Sequence, residues 1–166
     1  MTGRSKQANK SEILAKIKTL PALEPLNEQD LKQLLRISKI VRYDPGALIV
    51  DEGDYEGWIY YLISGRARIV KKGAELATLQ RTGDVFGAVG NIETGEQAVS
   101  VYALDETICL KINMSHVDGL PTENRYVFRY LIFRGFAEVL AKRLRITTDR
   151  YLKAKEEIER LKKKRR

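Results

Sequence analysis

The chain has 166 residues, 43% of them hydrophobic and 31% charged, a size and balance that suit one soluble domain with its own core rather than two. No apolar run approaches the ~18 residues of a membrane span. Arg4, Lys6 and Lys10 are not followed by the apolar stretch of a signal peptide, and a single cysteine, Cys109, leaves no internal disulfide and points to a reducing cytoplasm. The net charge of +8 is uneven: Lys142 to Arg166 holds 12 Lys/Arg against 4 Asp/Glu, while the rest of the chain is balanced.

Residues 1–10 are polar and read as loose. Ser11 to Leu20 predicts a short helix with Ile13, Leu14 and Ile17 on one side. Leu20, Pro21, Leu23 and Leu26 make an apolar connector. Asn27, three residues before Asp30, is placed as a helix N-cap, and Leu31, Leu34, Leu35 and Ile37 follow at helical spacing. From Lys39 to Ile112 the pattern changes to short apolar runs broken by turn residues: 40–43, 48–50, 58–63, 67–70, 76–79, 99–103 and 108–112. Seven or more short strands at this spacing predict a mainly β fold, an antiparallel β-roll of the jelly-roll or cupin-like barrel kind.

After Pro121 the helical period returns, with Thr122 as a possible cap and Gly135 as the one weak point in one long helix or two abutting ones. Tyr130, Phe133, Ala137, Leu140, Leu144, Thr147, Tyr151, Ala154, Ile158 and Leu161 alternate by three and four, as the a and d positions of a coiled coil do. Packing on the chain's own barrel suits the first half, which is apolar beyond this stripe. A homodimer seam of Leu140, Leu144, Thr147, Tyr151, Ile158 and Leu161 suits the second.

Catalytic and metal chemistry find little support. His116 is the only histidine, so a cupin-like metal site lacks its ligands. Cys109 sits inside a strand and reads as a small buried hydrophobe rather than a nucleophile. There is no phosphate-binding glycine loop, dinucleotide fingerprint or nucleophile elbow. The expectation is a protein that is not an enzyme.

Ordered turns and strands from about Leu26 to Ile112 carry a specific resemblance. Pro45-Gly46 with Ile49, Glu52-Gly53-Asp54, Ile59 to Ile63 followed by Gly65 and Ile69, and Gly83-Asp84-Val85-Phe86-Gly87 stand in sequence order. Together they resemble the cyclic nucleotide-binding domain family. The resemblance implies a regulatory β-roll with a phosphate-binding cassette, here Phe86 to Val101, and a cyclic nucleotide or other small anionic ligand. It would place Phe86, Gly87, Ala88, Val89, Gln97, Ala98 and Ser100 around that ligand. In the family a glutamate accepts from the ribose hydroxyl and an arginine holds the cyclic phosphate. Here Ala88 and Gln97 stand at those two places, so both polar anchors are missing and ordinary cyclic AMP binding is not expected. Glu93 and Glu96 either repel a phosphate or face solvent.

The run Leu140 to Arg150 is similar to the dimer helix of the catabolite-activator regulators, in which two adjacent hydroxyl residues meet the adenine. Thr147 and Thr148 fall at those places. A winged helix-turn-helix does not follow; the chain runs on as a Lys/Glu-rich helix, so base reading by a recognition helix has no visible apparatus. The organisation expected is an N-terminal tail and short helix (1–26), a cyclic-nucleotide-binding-like roll (27–121) and a C-terminal dimerisation helix with a basic end (122–166). The basic segment Lys142 to Arg166 is either a solvated face or a contact for acidic protein or nucleic acid. The alternatives to a sensor are a ligand-free interaction module and a nucleic-acid binder working through that segment.

Overall fold

The computed structural model describes residues 3–55, 57–87 and 97–164. The first helix, α1 (Gly3–Lys18), begins well before Ser11, because Lys, Gln and Ala are good helix formers whether or not the segment has an apolar face. Its Ile17 is fully buried and leads to Leu20 and Leu23 of the connector, which are buried as well. Helix α2 (Glu28–Arg36) opens as its sequence asks: the Asn27 side chain accepts from the Asp30 N–H at 2.8 Å. Leu31 and Leu34 are its buried face.

Eight strands follow among the described residues: β1 (Ser38–Tyr43), β2 (Leu48–Val50), β3 (Trp58–Ser64), β4 (Ala67–Lys71), β5 (Ala74–Leu79), β6 (Val85–Phe86), β7 (Ser100–Ala103) and β8 (Thr107–Asn113). They form two four-stranded antiparallel sheets, ordered β1-β8-β3-β6 and β2-β7-β4-β5, which is the antiparallel roll expected. Two strand-end features escaped the periodicity: β6, whose two residues are too few to show a period, and α3 (Met114–Asp118), a short helix capped by Asn113. Strand β3 explains why its sequence is a continuous apolar run instead of an alternating one. Ile59, Tyr61 and Ile63 face the helices, while Trp58, Tyr60 and Leu62 face the interior between the sheets. At the turn out of β3, Gly65 has φ +87°, and a Cβ there would strike the Glu106 carbonyl.

The molecule therefore has two cores divided by one sheet. The outer core joins α1, the connector, α2 and α3 to the outer face of that sheet. The inner core lies inside the roll and includes Ile49, Leu62, Ile69, Phe86, Val101 and Cys109. Cys109 is fully buried, and the loss of solvent pushes its thiol up to about 12.

One unbroken helix, α4 (Thr122–Lys164), closes the chain. Phe128, Leu131, Ile132 and Phe136 are its buried residues. Gly135 does not break it; its missing side chain admits the connector, since a Cβ would lie 3.3 Å from that of Ala22. Beyond Arg143 the helix leaves the roll and runs about 32 Å at 1.5 Å per residue. No helix among the described residues is long and apolar enough to cross a membrane.

Candidate functional site

The site lies at the end of the roll where β6 stops and β3 starts. Phe86 is buried and stacks flat on Tyr60 of β3, ring centroids 5.1 Å apart and planes 7° from parallel. The chain then turns through Gly87 at φ +87°; a Cβ there would lie 2.7 Å from the Trp58 carbonyl oxygen and 2.8 Å from the Tyr60 ring. Both the backbone conformation and the close approach demand glycine at this point. Ala88 and Val89 lie outside the described residues.

The described chain resumes at Gln97, which ties three segments together. Its side chain is 4% exposed, and its Nε2 donates to the Gly87 carbonyl at 2.7 Å. Its backbone carbonyl accepts from the Gly53 N–H at 2.9 Å, and its own N–H donates to the Asp54 carbonyl at 2.8 Å. A buried primary amide must place its donors on acceptors, and this one joins Gln97 to Gly87. Ala98 is exposed. Ser100 is buried at the head of β7, where its hydroxyl accepts from the Glu52 N–H at 3.0 Å and donates to Asp51 Oδ1 at 3.2 Å. It anchors the 51–54 turn under Gln97. Thr147 and Thr148 sit on the exposed part of α4. Phe86, Gly87 and Gln97 are thus brought together at the mouth of the roll, and the two threonines stand apart from it within a single chain.

Two features escape the sequence reading. Arg143 reaches back from α4, and its Nη2 donates to the Val85 carbonyl at 3.1 Å, one residue before Phe86. Burial pulls this guanidinium below its ordinary value, and the nearby Asp84 carboxylate opposes the shift. The long helix is therefore tied directly to the strand that delivers the cassette. Second, Phe86, Tyr60, Lys111 and Lys39 are consecutive partners across the sheet, one per strand from β6 to β1. The Lys111 ammonium lies 4.3 Å and the Lys39 ammonium 5.5 Å from the centre of the Trp58 ring. His116 of α3 meets the same ring edge-on at 6.1 Å. The signal for this cluster is the alternation Trp58-Tyr60-Leu62 set against Lys111-Cys109, visible once the pairing register is known.

The α4 residues expected to form a dimer seam are exposed in the single chain: Leu144 69%, Tyr151 63%, Ile158 53%, Leu161 54% and Leu140 39%.

The family model of the cyclic nucleotide-binding domain matches residues 40–124. The chain is 29% identical over 132 residues to a cGMP-dependent protein kinase of Toxoplasma gondii, a stretch that is 79% of this chain and 13% of the kinase. Among solved structures it is similar to a cyclic nucleotide-binding domain from Methylobacillus flagellatus, with a TM-score of 0.70 and 17% identity over 86% of this chain and 82% of that one. The catabolite activator protein of Thermus thermophilus matches with a TM-score of 0.57 and 24% identity, covering 77% of this chain and 60% of that one. Both likenesses show the fold.

Proposed function

The chain belongs to the cyclic nucleotide-binding domain family, and we propose that within it this is a non-enzymatic regulatory module, paired through α4, whose altered cassette no longer takes cyclic AMP in the family's usual manner. One observation carries this: Gln97, at the place of the family's phosphate-holding arginine, is buried and donates its amide to the Gly87 carbonyl. A neutral amide already engaged with the backbone offers a phosphate no charge. Removing one partner of a buried charged pair costs roughly 2–5 kcal/mol, or about 30- to several-thousand-fold in affinity. Ala88 in place of the glutamate removes the ribose contact as well.

The route from cassette to output runs through Arg143, which bonds β6 from within α4. A ligand that shifts the end of β6 would shift the base of the projecting helix, and two such helices paired along Leu140, Leu144, Thr147, Tyr151, Ile158 and Leu161 would carry that shift to a partner. In this scheme residues 27–121 sense, 122–166 pair and signal, and 1–26 brace the outer core. The buried thiol of Cys109, which has no second cysteine to pair with, suits a reducing cytoplasm. The positive balance of Lys142 to Arg166 favours a second reading, in which this segment meets an acidic protein or a nucleic-acid backbone.

Calorimetry tests the first reading. The wild-type chain should show no submicromolar affinity for cyclic AMP, and Ala88→Glu with Gln97→Arg should create or strengthen binding. Submicromolar binding by the wild type would overturn it. A roll that gains nothing from the restored anchors would point instead to a ligand-free interaction module.

A further inference from the structure

Lys39 and Lys111 are directly opposed partners on adjacent antiparallel strands, an arrangement in which like charges repel. Among the described residues neither has a carboxylate within ion-pair distance. Both ammonium groups lean on one indole ring, that of Trp58, and the Lys111 ammonium is also 5.9 Å from the centre of the Tyr60 ring. Attraction to the ring faces offsets part of the repulsion and leaves two positive charges with no carboxylate partner among the described residues. Their place is telling. Lys111 and Tyr60 are partners, Tyr60 stacks on Phe86, and the Trp58 carbonyl abuts Gly87, where the chain enters the cassette. The cations stand on the inner face of the sheet, beside the mouth that Gln97 leaves uncharged.

We infer that Lys39 and Lys111, seated on Trp58, form an anion site that takes a small phosphate monoester. This rests on the sensor reading above and names its ligand class. The choice of monoester follows from charge. A cyclic nucleotide is a phosphodiester with one negative charge, which a single arginine matches. A phosphate monoester carries about −1.5 to −2 near neutral pH, which two ammonium groups match. Lysine binds phosphate as a point charge and needs no bidentate geometry, so two lysines from different strands can converge on one phosphate.

Trp58 is the only tryptophan, so its emission reports on this site in the full chain. Adenosine 5′-monophosphate, ribose 5-phosphate and inorganic phosphate should change Trp58 emission and raise the melting temperature, cyclic AMP should do so only at much higher concentration, and adenosine should do neither. Lys39→Gln and Lys111→Gln should each weaken adenosine monophosphate binding by about tenfold or more, while Lys111→Arg retains it and shows that the roll still folds. Three results would overturn the inference: no response to either monoester at millimolar concentration, wild-type affinity in both glutamine variants, or adenosine bound as tightly as adenosine monophosphate. None of these touches the cassette reading, which is decided by cyclic AMP calorimetry on Ala88→Glu with Gln97→Arg, where both lysines are intact.

Discussion

The two halves of α4 share one seven-residue repeat and live in different surroundings. From Thr122 to Val139 the helix buries Phe128, Leu131, Ile132 and Phe136 against the outer core. From Leu140 onward its apolar residues are exposed, Leu144 to 69%, and the flanking positions carry all of the chain's excess charge. Periodicity alone cannot separate these cases, because a stripe at this spacing serves a chain's own core and a partner helix equally well. What separates them is the width of the apolar face. The first half is apolar well around the helix and buries the face of Phe128, Leu131, Ile132 and Phe136, while Val127, Tyr130 and Phe133 stay exposed. The second has a narrow seam bordered by cations, the form that suits one partner of the same shape.

The largest effect should come from attacking that seam. Leu144→Lys with Ile158→Lys should convert dimers to monomers in light scattering and leave the unfolding of the roll nearly unchanged, since both side chains are already exposed. An unchanged dimer mass would mean that the seam lies elsewhere. In the first half the order reverses: Phe128→Ala should lower unfolding free energy by about 3–5 kcal/mol, measured by urea titration at a concentration where dimerisation is held constant. A loss under about 1 kcal/mol would break the distinction between the halves.

A third test compares the inner core with both. Cys109 titrates at an ordinary value near 9.0 when unfolded and at about 12 when buried. Because the raised value belongs to the folded state, the unfolded state loses its proton first. The thiol costs nothing below about pH 9, and stability should fall as pH climbs from there toward 12. Burial raises the Tyr61 hydroxyl in the same direction and steepens the decline. Denaturation midpoints measured from pH 8 upward should show this slope, and Cys109→Ala should flatten it; equal slopes would refute the assignment.

Arg143 marks the boundary between the halves. Arg143→Gln should cost about 1 kcal/mol and should raise hydrogen exchange at Val85 to Gly87 as well as in α4 near residue 143. Faster exchange in the helix alone would remove it as the tie between cassette and output. The smallest effect is expected at the basic end. Binding of random duplex DNA at low salt should weaken steeply as salt rises, should not depend on sequence, and should be reduced in a chain ending at Leu161. At physiological salt neither form should bind, and retention there by the full chain would favour the nucleic-acid reading.

Much of the fold was legible in the residues. The apolar runs between Lys39 and Ile112 gave seven of the eight strands within a few residues, and Asn27 three before Asp30 located the start of α2. Strand β6 was not legible, because two residues carry no period; it exists because Tyr60 and Tyr61 of β3 offer it partners. Of the residues expected around a ligand, the order of glycines and apolar residues pointed to Phe86, Gly87 and Gln97, which meet in the fold; Ala88 and Val89 lie outside the described residues.

What the sequence by itself determined is local or additive: the alternation of strands and turns, the capped helix α2, the stripe on α4, and the charge gathered in its last 25 residues. Each depends on neighbours a few positions away or on simple counting. Only the tertiary structure decided where the Gln97 amide goes, which strand Arg143 grasps, and that Lys39 and Lys111 meet over Trp58. Those contacts join segments far apart in the chain, and they follow from pairing register, in which a slip of one residue would turn both lysines to the opposite face of the sheet.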